Sequence, residues 1–244
     1  MVERTDRAPV GTFLAPGPWG ATVELDEAAA HHAGVKRLAI GDVVRLTSGD
    51  GRRGLGTIDV LAKRRLAVAV DAGSIERVGA LPRVELWAPV GDRERMLLLA
   101  EKAVELGASA WRPVIYRRSR SVSPRGEGEA FREKVRLRMA GALEQCGGAW
   151  LPEQLPEVTL EAALGASNGV AGLLLDAAGE PFSALRGALR PPVTVALGPE
   201  GGLEPEERAC FLAAGWRVAS LGDNVLRFET AGIAALALIR SLTH

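Results

Sequence analysis

The sequence predicts an α/β protein in which a mostly parallel sheet, covered by helices, follows a smaller β-rich region. Three observations carry this reading. From Val84 onward, strand-like apolar segments alternate with segments of helical period, the pattern of a parallel sheet with both faces covered. From Thr12 to about Ala72, β-rich segments recur at a spacing of about ten residues, as in a small barrel. Late in the chain, two strand ends each run into a glycine-containing loop, Leu197–Gly202 and Leu221–Thr230. Such loops lie at the carboxyl edge of a parallel sheet, where ligands bind.

In the β-rich part, the expected strands are Val43–Thr47, Leu55–Val60 and Leu66–Val70, with Gly49-Asp-Gly51 as the turn between the first two. A short helix is expected over Glu27–Ala33, ending near Gly34. Ile75–Pro82 reads as a linker, which divides the chain into residues 1–75 and 76–244. Beyond it, Val84–Pro89 is a strand. Asp92 then caps a helix with apolar positions at Met96, Leu99, Ala100, Ala103 and Leu106, closed by Gly107. Further strands are expected at Trp111–Tyr116, Ala171–Leu175, Val193–Leu197 and Trp216–Leu221. The intervening helices are Glu129–Gln145, Pro205–Ala214 and Thr230–Leu242.

Composition narrows the classes. The 244 residues are 47% apolar, enough for a full core. Two cysteines and three histidines, with no C-x-x-C, argue against a disulfide framework and a Cys/His zinc site, and no metal is expected. The charged N-terminus has no apolar core of a signal peptide. The longest apolar run, near Ala231–Ile239, is far short of the roughly 20 residues of a membrane span. A soluble, cytoplasmic protein is the expectation.

Acidic and basic residues balance at 30 each, but they are not evenly spread. Residues 112–138 hold nine basic side chains against three acidic ones, whereas residues 139–244 hold six against twelve. Within the basic stretch, Arg117, Arg118 and Arg120 lie among serines, a composition suited to phosphate contacts. A smaller cluster, Arg52 and Arg53 with Arg65, sits in the β-rich part. A solvated surface is the plain alternative; together the clusters predict a track for a nucleic-acid backbone.

In the first loop, Gly198-Pro-Glu-Gly-Gly202 turns the chain. Pro205 then opens a helix whose first turn carries Glu206 and Glu207. Glycines let a backbone approach a flat ligand closely. No Lys-Ser/Thr follows them and no G-x-G-x-x-G is present, so neither a P-loop nor a dinucleotide fingerprint fits. Glu200 repels phosphate and suits a ligand bearing ammonium or sulfonium charge. In the second loop, Arg227 stands between apolar Leu226 and Phe228, as an ion-pair strut or as an anion-facing group, and Glu229 suits the first turn of a helix.

Leu197-Gly-Pro-Glu-Gly-Gly202 followed by Leu221-Gly-x-x-Val-Leu-Arg-x-Glu-Thr230 resembles the SPOUT superfamily of knotted methyltransferases. More closely, it resembles the uridine-N3 methyltransferases of small-subunit (16S) ribosomal RNA. Glu94-Arg-Met96, Glu101-Lys102, Glu105-Leu-Gly107, Glu144-Gln-Cys-Gly147, His31–Lys36 and Leu38-x-x-Gly-Asp42 extend the resemblance over essentially the whole chain. It implies a PUA-like N-terminal β-barrel that helps bind RNA, and a C-terminal α/β domain tied in a deep trefoil knot. It also implies a homodimer with the active site near the subunit interface. The donor, S-adenosyl-L-methionine, is expected to be held by Leu197, Gly198, Gly202, Leu221, Val225 and Leu226, with Pro199, Glu200, Gly201 and Gly222 completing the two loops. One position departs from the family: Gly148 stands where an Arg usually follows Glu-Gln-Cys-Gly, so an RNA contact there is either lost or supplied by Arg118 or Arg120.

Methylating uracil N3 requires loss of its imide proton while charge spreads over O2 and O4. Arg227 is the expected electrostatic group, and Glu229 or solvent the proton acceptor. The alternatives are ribose 2′-O or guanine-N1 methylation by a related enzyme, or an RNA-binding factor without catalysis.

Overall fold

The computed structural model describes residues 8–121, 125–167, 170–185 and 189–242. The chain divides into two compact units, Met1–Ala80 with Leu143–Leu151, and Leu81–Ala142 with Pro152–His244. No helix among the described residues is long and apolar enough to cross a membrane.

The first unit contains β1 (Thr12–Leu14), β2 (Thr22–Leu25), α1 (Glu27–Val35), β3 (Val43–Thr47), β4 (Arg52–Ala62) and β5 (Arg65–Arg77). The strands form one sheet in the order β1-β3-β4-β5-β2. β1 joins β3 in parallel and the other pairs are antiparallel. Register shifts between β4 and β5 at Arg53/Leu55 and Ile58/Val60 bend the sheet. It stays open, with β1 and β2 as its edges, rather than closing into the barrel that strand spacing predicts. The three-residue β1 pairs in parallel with β3 at the edge opposite β2, and no β1–β2 ladder joins the two edges among the described residues. Phe13, Val44, Leu46, Ile58, Leu66 and Val68 fill the core against Ala30 and Ala33 of α1.

Asp26 caps α1 by accepting from the Ala29 amide at 2.9 Å. Gly49 and Gly51 take φ of 79° and 98° in the β3–β4 turn, a conformation that favours glycine. β5 continues to Arg77, so Ile75–Arg77 are strand rather than linker. Glu76 opposes Arg53 of β4 and pairs with it at 2.7 Å.

Leu143–Leu151 completes this unit. The Leu14 amide donates to the Glu144 carboxylate at 2.8 Å, and the Thr47 hydroxyl donates to the Gly148 carbonyl at 2.9 Å. The Trp150 indole donates to the Val78 carbonyl at 3.1 Å. Burial pushes the Glu144 carboxyl above the usual carboxylate range, against the opposing effect of the Leu14 hydrogen bond. A Cβ on Gly148 would lie 2.8 Å from Leu143 Cδ1, so no side chain fits there without moving Leu143.

The second unit contains β6 (Val84–Pro89), α2 (Arg93–Glu105), β7 (Ala110–Ile115), α3 (Glu129–Cys146), β8 (Glu153–Gln154) and β9 (Val158–Thr159). It continues through α4 (Leu160–Ala166), β10 (Ala171–Pro181), β11 (Val193–Leu197), α5 (Pro205–Ala213), β12 (Arg217–Ser220) and α6 (Phe228–Ser241). From Leu143 onward, α3 belongs to the first unit. The sheet runs β12-β10-β11-β6-β7-β8, with β9 also on β7, and every pairing is parallel.

β11 lies between β10 and β6, which is why all five of its residues are buried. The strands and helices expected from the sequence are present here. β8, β9 and α4 are additional, since two-residue strands and a seven-residue helix carry too little periodicity to be read. α6 packs on α2 and β11 through Gly232, where a Cβ would come within 2.7 Å of Leu99 and 2.9 Å of Leu197.

Candidate functional site

The carboxyl ends of β11 and β12, with Leu175–Ala177 in the middle of β10, open on a cavity of about 380 Å³, within the usual range of small-molecule sites of about 300–1,000 Å³. The two glycine loops form most of its wall. Leu197, Gly198, Pro199, Glu200 and Gly202 line it from the first loop. Leu221, Gly222, Val225, Leu226 and Arg227 line it from the second. Gly201 is the member of the expected set that stays off the wall: its carbonyl points away and accepts from Arg118 at 2.7 Å.

Local chemistry explains both loops. Gly202 takes φ of 73° and its amide donates to the Pro199 carbonyl at 2.8 Å, closing a tight turn. Pro205 starts α5, and the Glu207 carboxylate accepts from the Glu204 amide at 2.9 Å. In the second loop, the Ser220 hydroxyl donates to the Gly222 carbonyl at 2.9 Å, and Gly222 takes φ of 148°. Val225 is 87% exposed. Arg227 is the N-cap of α6 with extended backbone, and Phe228 behind it is buried.

Glu200 is turned toward α2 and accepts from the Asp92 amide at 3.1 Å. Gly91 makes room for it, since a Cβ there would lie 2.6 Å from Glu200 Oε2. Glu229 is buried, does not line the cavity, and its Oε2 has no hydrogen-bond partner.

Sequence reasoning missed Arg95 and Asp176, which line the same cavity from α2 and β10. Asp176 immediately follows an expected strand, and Arg95 lies three residues after an expected cap. The carboxyl-end rule applied to that expected strand would have found Asp176; Arg95, on a helix, carried no such signal.

The basic segment is heavily paired. The Arg117 amide donates to the Glu207 carboxylate at 2.8 Å, and its guanidinium meets Glu206 at 3.1 Å. Arg118 pairs with Glu204 at 2.8 Å while holding Gly201. Arg112, Arg125, Arg132, Arg136 and Arg138 also form ion pairs. Arg120 falls in the short 3-10 turn Arg117–Ser121, and its side chain lies outside the described residues. In the first unit, Arg53 pairs with Glu76 and Arg65 with Glu24, each at 2.7 Å. Arg52 stacks over Trp19 at 5.6 Å.

An open parallel sheet with a backbone-lined cavity at its carboxyl edge defines a small-ligand-binding α/β protein. Comparison with known proteins gives the family: the chain belongs to the RNA methyltransferase domain family, matched over residues 80–240. Residues 25–71 match an RNA methyltransferase PUA domain. It is similar to ribosomal RNA small subunit methyltransferase E of Rickettsia conorii, 26% identical over 90% of each chain. The protein of the same description from Mycobacterium bovis is 28% identical over 91% of this chain and 87% of the relative.

Among solved structures, ribosomal RNA small subunit methyltransferase E from Neisseria gonorrhoeae, bound to S-adenosyl methionine, superposes with a TM-score of 0.82 at 25% identity. It covers 95% of this chain and 97% of the other. A methyltransferase from Legionella pneumophila, in complex with the same cofactor, gives 0.83 at 26% identity, covering 96% and 98%.

Proposed function

We propose that this protein transfers a methyl group from S-adenosylmethionine to N3 of a specific uridine in 16S RNA of the small ribosomal subunit. The observation that carries the reading is the cavity shared by the two glycine loops, with Arg227 on its wall at the start of α6. Two relatives of the same fold are described with that donor bound, and relatives spanning nine-tenths of the chain are described as small-subunit RNA methyltransferases.

The residues present fit such a donor. The wall offers unshielded backbone at Gly198, Gly202 and Gly222, and apolar surface at Leu197, Leu221, Val225 and Leu226. The carboxylates of Asp176 and Glu200 suit a cationic group. When bound, the donor supplies an electrophilic methyl group on a sulfonium. The protein's part is to orient the acceptor and to stabilise the charge that develops on O2 and O4 as the N3 proton leaves. Arg227 has the position and charge for that role. Solvent takes the proton, because Glu229, the other expected acceptor, is buried and off the cavity wall.

Two further elements belong to this reading. The trefoil knot is consistent with the strand order, in which β12 lies beside β10 and not beside β11. A homodimer gives a partner surface to Val225 and to exposed Leu238 of α6. RNA contacts fall to Arg117, Arg118 and Arg120, with Arg52, Arg53 and Arg65 in the PUA-like part.

The test is methyl transfer to intact small subunits and to naked 16S RNA, with the product mapped by mass spectrometry. N3-methyluridine at one site is expected. A ribose 2′-O or guanine-N1 product would replace the acceptor, and no transfer with no donor binding would favour a non-catalytic RNA-binding factor.

A further inference from the structure

Arg227 is not the cavity's lone cation. Arg95, in the first turn of α2, lines the same wall. A guanidinium carries five N–H donors and stays charged at any working pH. Among the described residues, neither the Arg95 nor the Arg227 side chain donates a hydrogen bond. Arg95 has only two loose ion pairs, Nη1 at 3.9 Å from Glu200 Oε1 and Nε at 4.0 Å from Glu229 Oε1. Both separations are beyond hydrogen-bond range. Its side chain is 32% exposed, whereas that of Glu229 is 8% exposed.

The two carboxylates that face Arg95 support a holding arrangement. Glu229 approaches from α6 and Glu200 from the loop after β11, where it is already engaged by the Asp92 amide. Asp92 itself caps α2, and Asp176 across the cavity pairs with Arg208 at 3.7 Å. Two guanidinium groups sharing one cavity repel each other, and the Glu200 and Glu229 carboxylates offset that repulsion. The result is a cation kept in place by charge, with its directional donors still unengaged.

We infer that Arg95 is a second substrate-contacting cation, which together with Arg227 holds the two carbonyl oxygens of a pyrimidine imide, and that Glu229 is the residue positioning Arg95. This rests on the uridine-N3 reading. An imide nitrogen has a carbonyl on each side, so when the N3–H bond breaks and the proton goes to solvent, charge divides between two oxygens. The N3 lone pair then forms the new N–C bond as the S–C bond of the donor breaks, and the donor leaves as a neutral thioether. Two oxygens call for two cations. A ribose hydroxyl develops charge on one oxygen, and guanine N1 has a carbonyl on one side only.

The experiment compares wild type, Arg95→Ala, Arg95→Lys, Glu229→Gln and the Arg95→Ala/Glu229→Gln double variant. It measures methylation rates on the small-subunit substrate across pH, and calorimetric affinity for S-adenosylmethionine. Arg95→Ala is expected to lower kcat on the order of 100-fold at neutral pH, with cofactor affinity close to wild type. The deficit should shrink as pH rises toward the imide's own ionisation, since the proton then leaves without help. Arg95→Lys, which keeps charge but not the fork, should fall in between.

Glu229→Gln should reproduce part of the loss and add little to Arg95→Ala, as expected for residues acting as one unit. A pH-independent loss, or a large loss of cofactor affinity with kcat intact, overturns the assignment of Arg95. Multiplying losses in the double variant overturn the positioning role of Glu229. Mapping the wild-type product keeps the two levels apart. If wild type makes no N3-methyluridine, the underlying reading fails; if it does and Arg95→Ala keeps its rate, only this inference fails.

Discussion

The arginines of the basic segment and those of the cavity are the same residue type in opposite circumstances. Arg117 and Arg118 are tied to the first turn of α5 through Glu204, Glu206 and Glu207, and Arg118 also clamps the Gly201 carbonyl. Arg95 and Arg227 line a cavity without a hydrogen bond from either guanidinium to a described residue. Counting charge along the chain finds the first set and passes over the second. The number of cations in a segment says where charge lies, whereas the partners supplied by the fold decide which cations still have donors to offer. Exposed pairs such as Arg117–Glu206 add little stability, so a phosphate can displace the carboxylate at small cost.

The largest effect that tests this contrast is expected from Arg227→Ala, which should cut methylation by roughly 100- to 1,000-fold while calorimetric affinity for S-adenosylmethionine changes little. Equal losses in both would erase the distinction between cavity and clamp arginines. Next is Gly232→Ala, which disturbs the packing behind Leu197 of the cavity wall without touching a charge. Its new methyl meets Leu99 and Leu197, and overpacking of this kind costs about 1–3 kcal/mol, read as a lower Tm. Weaker cofactor binding at unchanged RNA affinity should accompany it.

Arg118→Ala should weaken RNA binding about equally across sequences and reduce the slope of log affinity against log salt by about one. Loss of the Gly201 clamp should also weaken cofactor binding modestly. Unchanged RNA affinity would make Arg118 purely a strut for the loop.

The smallest effect is expected at Glu144, a half-buried carboxylate without an arginine partner. Its folded-state carboxyl titrates above its unfolded value, so the folded protein binds that proton more readily. Stability from this group therefore falls as pH rises through the usual carboxylate range and stays lower above it. Glu144→Gln keeps an acceptor for the Leu14 amide and removes the buried charge. The variant should melt slightly higher than wild type at neutral pH, an advantage that disappears below the usual carboxylate range in thermal unfolding.

Much of the fold was legible because long apolar strands and capped helices carry their own period. β11 is continuous apolar sequence because it is buried between two neighbours, and Asp92 caps α2 as its position implies. β8, β9 and α4 are too short for periodicity, and closure of the first sheet depends on edge pairing that spacing does not encode. Most of the cavity wall was legible as two glycine loops. Arg95 was not, because its role comes from Glu200 and Glu229, over a hundred residues away in sequence. The same holds for Arg118, whose partners Gly201 and Glu204 lie 83 and 86 positions along the chain.

The contribution of Leu143–Leu151 to the first unit has a consequence for how the protein is made. Leu14 leaves the ribosome early, but the carboxylate that receives its amide is 130 residues further along. The β3–β4 hairpin can form locally during synthesis, yet Thr47 and Val78 wait for Gly148 and Trp150 to emerge. The N-terminal sheet is therefore begun first and finished late. A nascent chain stalled after Val78, or a gene cut there, would present that sheet without the partners of Leu14, Thr47 and Val78.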